Sequence, residues 1–126
     1  LKVGNIIIMI FEYLKKMTNS KSFIFEKDLL LGYSPEKIVY FITFKDFYQD
    51  IDGSIKNLLE NKKGIETKLI LDGNLSDHLI FRMVQQAMTQ HKKFSIVVND
   101  GYHLNNSYYS DRIAALLISE TVRVPG

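Results

Sequence analysis

The sequence has no cysteine. That excludes a disulfide scaffold, a thiolate zinc site and a cysteine nucleophile. The lack fits a reducing compartment, and the expected location is the cytoplasm. Charge of one sign is also missing: 16 basic residues against 14 acidic leave a net charge of +2, too balanced to point to nucleic acid. No apolar run approaches the ~20 residues that a membrane span needs. The longest near the N-terminus is Ile6–Phe11, and Glu12, Lys15 and Lys16 follow it without a small-residue cleavage site. Neither a membrane anchor nor a secretory signal is therefore expected. Gly-rich phosphate loops of either common spacing are absent, as is a Gly-x-Ser-x-Gly elbow, so nucleotide binding and an elbow serine nucleophile have no support.

What is present suits one soluble α/β domain spanning 1–126. The chain is 46% apolar and 24% charged, and 126 residues bury enough surface for a core without staples. Residues 1–20 are ambiguous: Ile6, Ile7, Ile8 and Ile10 favour a strand, whereas Phe11, Leu14 and Met17 recur at helical spacing. The expectation is a helix packed on the sheet, with self-association of the domain through it as one possibility. Ser22–Glu26 reads as a short strand and Gly32–Pro35 as a turn. Ile38–Phe44 is almost wholly apolar, which predicts a central strand covered on both faces.

Asp46 is placed to cap the next helix, with Gln49 completing a capping box. Phe47, Ile51, Ile55, Leu58 and Leu59 carry that helix's stripe up to Gly64. Lys68–Leu71 is the following strand. Ser76 caps a second helix, striped by Leu79, Ile80, Met83, Val84, Ala87 and Met88, and Phe94–Val98 reads as another buried strand. Asn99–Asp111 is a polar loop, Ile113–Ile118 a last apolar helix, and Thr121–Val124 an edge strand. This alternation predicts a three-layer α/β sandwich with a mostly parallel sheet of about five strands and an antiparallel edge hairpin.

In such sheets ligands collect beyond the carboxyl ends of the strands. Those ends carry Asp46, then Asp72, Asn74, Ser76 and Asp77, then Asn99, Asp100, Tyr102 and His103. Each aspartate also has an ordinary structural task, as a cap or in an Asp-Gly turn. If Asp46, Asp72 and Asp100 converge they suit Mg²⁺, a hard cation that takes carboxylate oxygen. Asp72 and Asp100 with His103 as general base would then make a small metal-dependent hydrolase or nuclease. His78, His91 and His103 have no metal-ligand spacing among themselves. Tyr102, Tyr108 and Tyr109, beside Asn105 and Asn106, instead suit a protein-recognition surface, where tyrosine is enriched.

The stretches IVYFITFKD, SIKNLLENKKG and KLILDGNLSDHLIFRMVQQAMTQHKKFSIVVND follow an element order that resembles the STAS domain of anti-sigma-factor antagonists and anion transporters. In that family a strand ending in Leu-Asp leads to a serine at a helix start, and Leu71-Asp72 and Ser76 occupy comparable places. The resemblance implies a domain that binds a partner protein, sometimes under control of serine phosphorylation. The leading expectation is thus a non-enzymatic protein-binding module, regulatory or inhibitory. Its contacts would be Asn74, Ser76, Tyr102, His103, Tyr108 and Tyr109. The metal-dependent hydrolase is the alternative.

Overall fold

A computed structural model describes residues 3–20, 29–60, 66–98 and 110–120. The elements are α1 (Val3–Ser20), a 3₁₀ turn (Pro35–Lys37), β1 (Ile38–Thr43), α2 (Phe44–Gln49), α3 (Ile51–Leu59), β2 (Thr67–Asp72), α4 (Asp77–Thr89), β3 (Lys93–Val97) and β4 (Ile113–Ser119). The fold is α/β, with helices packed on both faces of a mixed sheet.

Among the described residues the sheet has four strands, in the order β1-β4-β2-β3. Two of its three pairings, β1 with β4 and β4 with β2, are antiparallel; only β2 and β3 run parallel. The expectation of a mostly parallel, five-stranded sheet is therefore corrected, and the cause is one segment. Ile113–Ile118 is a strand, not a helix. Ala114, Ala115, Leu116 and Leu117 favour helix by local propensity. But Ile113–Ile118 is at most 5% exposed anywhere along its length, and a strand covered on both faces reads as an unbroken apolar run. Tertiary burial overrides propensity here.

The same insertion moves the expected centre. Ile38–Thr43, expected at the centre, and Lys93–Val97, expected to be buried, stand at opposite edges, with β4 and β2 between them. Phe44 leaves the strand and starts α2. In β3 no residue is fully buried. The strands proposed at Ser22–Glu26 and Thr121–Val124, the helix end at Gly64 and the 99–109 part of the polar loop lie outside the described residues.

Two apolar cores sandwich the sheet. Phe44, Phe47, Ile55 and Leu58 from α2 and α3, with Leu79, Met83 and Ala87 from α4, pack on Leu69, Leu71, Ala115 and Leu117. On the other face Ile6, Ile10, Tyr13 and Leu14 of α1, with Leu29–Leu31, pack on Ile70, Leu116 and Ile118. The N-terminal helix is thus as expected. The Tyr13 hydroxyl ties this layer together: it donates to the Leu29 carbonyl (3.2 Å) and accepts from the Ile113 N–H (3.1 Å).

The helix expected from Asp46 onwards is two. Thr43, not Asp46, caps α2 by accepting from the Asp46 N–H at 3.2 Å. Asp50 then breaks the run and caps α3, accepting from the Gly53 N–H at 3.0 Å. A Cβ at Gly53 would collide with that Asp50 carboxylate, which explains a glycine in a first turn.

Candidate functional site

β1, β2 and β3 all run in one direction, because β1 and β2 are each antiparallel to β4 and β3 is parallel to β2. Their carboxyl ends share one rim, as the sequence implied, and the start of β4 joins them there. The rim is stitched by backbone bonds: Phe44 N–H to Arg112 O (2.9 Å), Lys45 N–H to Ser110 O (3.0 Å) and Gly73 N–H to Val97 O (2.9 Å).

Asp72, the last residue of β2, is fully buried. One carboxylate oxygen, Oδ1, accepts from the Asn74 backbone N–H at 2.7 Å and from its side-chain amide at 2.9 Å. The other, Oδ2, is buried with no hydrogen-bond partner among the described residues. Burial pushes the Asp72 pKa up, since desolvation disfavours the charged form. The two Asn74 bonds and the Arg112 charge oppose that rise without cancelling it. Arg112, itself buried, stands just before β4.

Ser76 occupies the N-cap position of α4 as expected, with extended backbone, but its hydroxyl makes no cap bond. Its Oγ is buried without a hydrogen-bond partner among the described residues, while its N–H donates to the Tyr48 hydroxyl at 3.3 Å. The turn between Asp72 and Ser76 is closed by Leu75 N–H to Asp72 O at 3.1 Å. Asp72, Asn74 and Ser76 are thus brought into one short turn.

Asp46 stands apart. It is exposed in the first turn of α2, and its charge acts on Tyr40, whose hydroxyl pKa is pushed up chiefly by burial, then by Asp46, against a bond to Asn57. Asp46 is not among the groups that act on Asp72. Among the described residues no three His, Asp or Glu side chains gather to hold a metal ion. Asp100, Tyr102, His103, Tyr108 and Tyr109 lie outside the described residues. His78 and His91 are exposed on α4 and at its end.

Sequence reading missed Arg112 and Tyr48. Arg112 becomes a rim residue only once Ile113–Ser119 is seen as a strand opposed to β2, and the helical reading hid that. Tyr48 gave no signal of its own, since its part in the site depends on how α2 docks.

A second surface stands out. Ile96 is 41% and Val98 73% exposed. In the register Leu71 pairs with Ile96 and Leu69 with Phe94, so alternation puts Phe94 and Ile96 on the face that α4 covers. Phe81 and Met88, both 63% exposed, are two turns apart on one line of α4. Arg82 reaches instead towards α3, pairing with Asp52 at 2.8 Å. Ile8, Met9 and Phe11 are likewise exposed on α1. Among the described residues no helix is long and apolar enough to cross a membrane.

No family model, curated protein or solved structure matches the chain.

Proposed function

We propose that the protein is a non-enzymatic protein-binding module, regulatory or inhibitory in role, that takes an extended segment of its partner along β3. The observation that carries this reading is the exposure of Ile96 on β3, which among the described residues pairs only with β2, and of Val98 just beyond its end. An edge strand offers a row of backbone donors and acceptors, and an added strand gains main-chain bonds from it while side-chain pockets set specificity. Ile96 and Val98 supply apolar contact, and Val98 leads into the tyrosine-bearing segment that holds Tyr102, Tyr108 and Tyr109. Asn74 and Ser76 border the same end of the sheet.

The test places a photo-crosslinking amino acid at Ile96, identifies the captured protein, and measures its affinity for the purified domain. Ile96→Lys with Val98→Lys places charge on the edge, the means by which natural sheets block strand addition. The expected result is a loss of tenfold or more in affinity with the melting temperature nearly unchanged. Unaltered affinity in this variant and in the Tyr102→Ala, Tyr108→Ala, Tyr109→Ala variant refutes the reading.

A further inference from the structure

Apolar exposure on this side of the molecule is not confined to the strand. Phe81 and Met88 are exposed on α4, and a lone peptide added to β3 makes no use of them. Arg82 pairs with Asp52 of α3 and so marks the side of α4 that faces α3. A helix turns about 100° per residue, which sets Phe81 and Met88 about 100–120° round from Arg82. They lie on the outer surface of α4, leaning away from α3 and over the β3 edge. The stripe they belong to is Asp77, Phe81, Val84, Met88 and His91, spaced four, three, four and three residues apart, as neighbours on one helix face are. Asp77 and His91 are exposed at its two ends and Val84 is half-buried at its middle. Reversed about Val84, the stripe is complementary to itself. Phe81 then meets Met88, and the Asp77 carboxylate meets the basic end formed by His91 and Lys92. An isologous contact between two copies requires such a self-complementary patch.

We propose that the segment added along β3 is β3 of a second copy, giving a twofold dimer in which the sheet runs on from one chain into the other and α4 packs antiparallel on its counterpart. This rests on the strand-addition reading above and names its partner. Strand and helix fit one axis. The core residues of α4 pack on Leu69 and Leu71 of β2 and with Phe94 of β3, so its axis runs over the gap between those strands. Strands stand about 4.8 Å apart. A twofold axis half that spacing outside β3 therefore sets the two α4 helices about 10 Å apart, at the 8–10 Å separation of packed helices. The middles of α4 and β3 also stand level, because α4 starts where β2 ends and stops where β3 begins. An axis through Ser95 thus passes Val84 as well. It sets Phe94 opposite Ile96 of the second copy on the α4 side of the seam, an aromatic and β-branched pair of the kind that stabilises sheets.

Sedimentation equilibrium of the whole chain across a micromolar concentration series tests this. The expected mass is twice the 14.6 kDa of one chain. Phe81→Glu with Met88→Glu sets like charges against each other across the seam and should raise the dissociation constant tenfold or more, with the circular dichroism unchanged because both side chains are exposed. Asp77→Lys and His91→Asp, each alone, should weaken the dimer several-fold. Mixed together, those two variants should form a heterodimer of near wild-type affinity, since each altered charge then meets its opposite. An unchanged dissociation constant in the glutamate variant overturns the proposal; should that variant fail to fold, no gain on mixing the two charge variants does so. A dimer that survives Ile96→Lys with Val98→Lys overturns it as well. So does a dimer broken only by Ile8→Glu with Phe11→Glu, which would place the contact on α1. A monomeric mass at every concentration also overturns it, yet leaves strand addition by a different protein standing, because that reading is decided by what the crosslinker at Ile96 captures.

Discussion

β4 and β3 are both short apolar strands bonded to β2, and they live under opposite conditions. β4 lies between β1 and β2 and is buried from Ile113 to Ile118. β3 stands at the edge, and its residues are half-buried or exposed. Apolar composition thus does not by itself tell a core strand from an edge strand; the number of neighbours does. The contrast is sharpest where the same central strand is touched from its two sides. Leu117 of β4 sits between Tyr40 and Leu69, whereas Ile96 of β3 has, among the described residues, Leu71 on one side alone.

The largest expected effect breaks the central member of this pair. Leu117→Ala removes a fully buried side chain from the core under α2–α4 and should cost about 2–5 kcal/mol. Ile96→Ala truncates a side chain already 41% exposed and should cost about 1 kcal/mol or less. Chemical denaturation of the two variants measures the difference directly. Equal losses would mean that β3 is as enclosed as β4, and would remove the basis for a docking edge.

A smaller effect is expected where the N-terminal layer is fastened to the central strand. Tyr13→Phe keeps the ring, which packs 6.0 Å from that of Phe41, but removes the hydroxyl. The Ile113 N–H and the Leu29 carbonyl then both lose their partner. Leaving buried groups unsatisfied costs about 1–3 kcal/mol. Hydrogen exchange should show the Ile113 amide losing protection while β3 amides keep theirs. No change at Ile113 would mean that α1 is held by apolar contact alone.

Much of this arrangement could be read from the chain. The stripes at Phe47–Leu59 and Leu79–Ala87 marked the helices of one face, and Lys68–Leu71 marked β2, because helical and strand periods differ and both segments obey theirs. Asp72, Asn74 and Ser76 were placed at a strand end by the same reasoning, and the structure gathers them in one turn. β4 was hidden because full burial erases alternation, and Ala-Ala-Leu-Leu carries the opposite local preference. With β4 misread, Arg112 could not be placed, and the edge strand at Ile38–Thr43 reads as central while that at Phe94–Val98 reads as buried. The orphaned oxygens were beyond sequence reasoning altogether, since they depend on which carboxylate oxygen Asn74 takes and on Tyr48 arriving from α2.

The smallest expected effect probes the point where centre and edge meet, for Asp72 closes β2 opposite Val97 of β3. The folded-state pKa of Asp72 is raised, so the folded protein holds the proton more tightly than the unfolded chain does. The stability linked to that proton is fully present below the unfolded carboxyl pKa of about 3.9, and is lost as pH rises through the higher folded value. Asp72→Asn cannot ionise and escapes the loss. The variant should match or fall below wild type in acid and exceed it at neutral pH. The crossing should appear in urea midpoints taken across the acid range. A variant less stable than wild type at neutral pH would mean that the Asp72 charge is well compensated, with Arg112 rather than burial governing the rim.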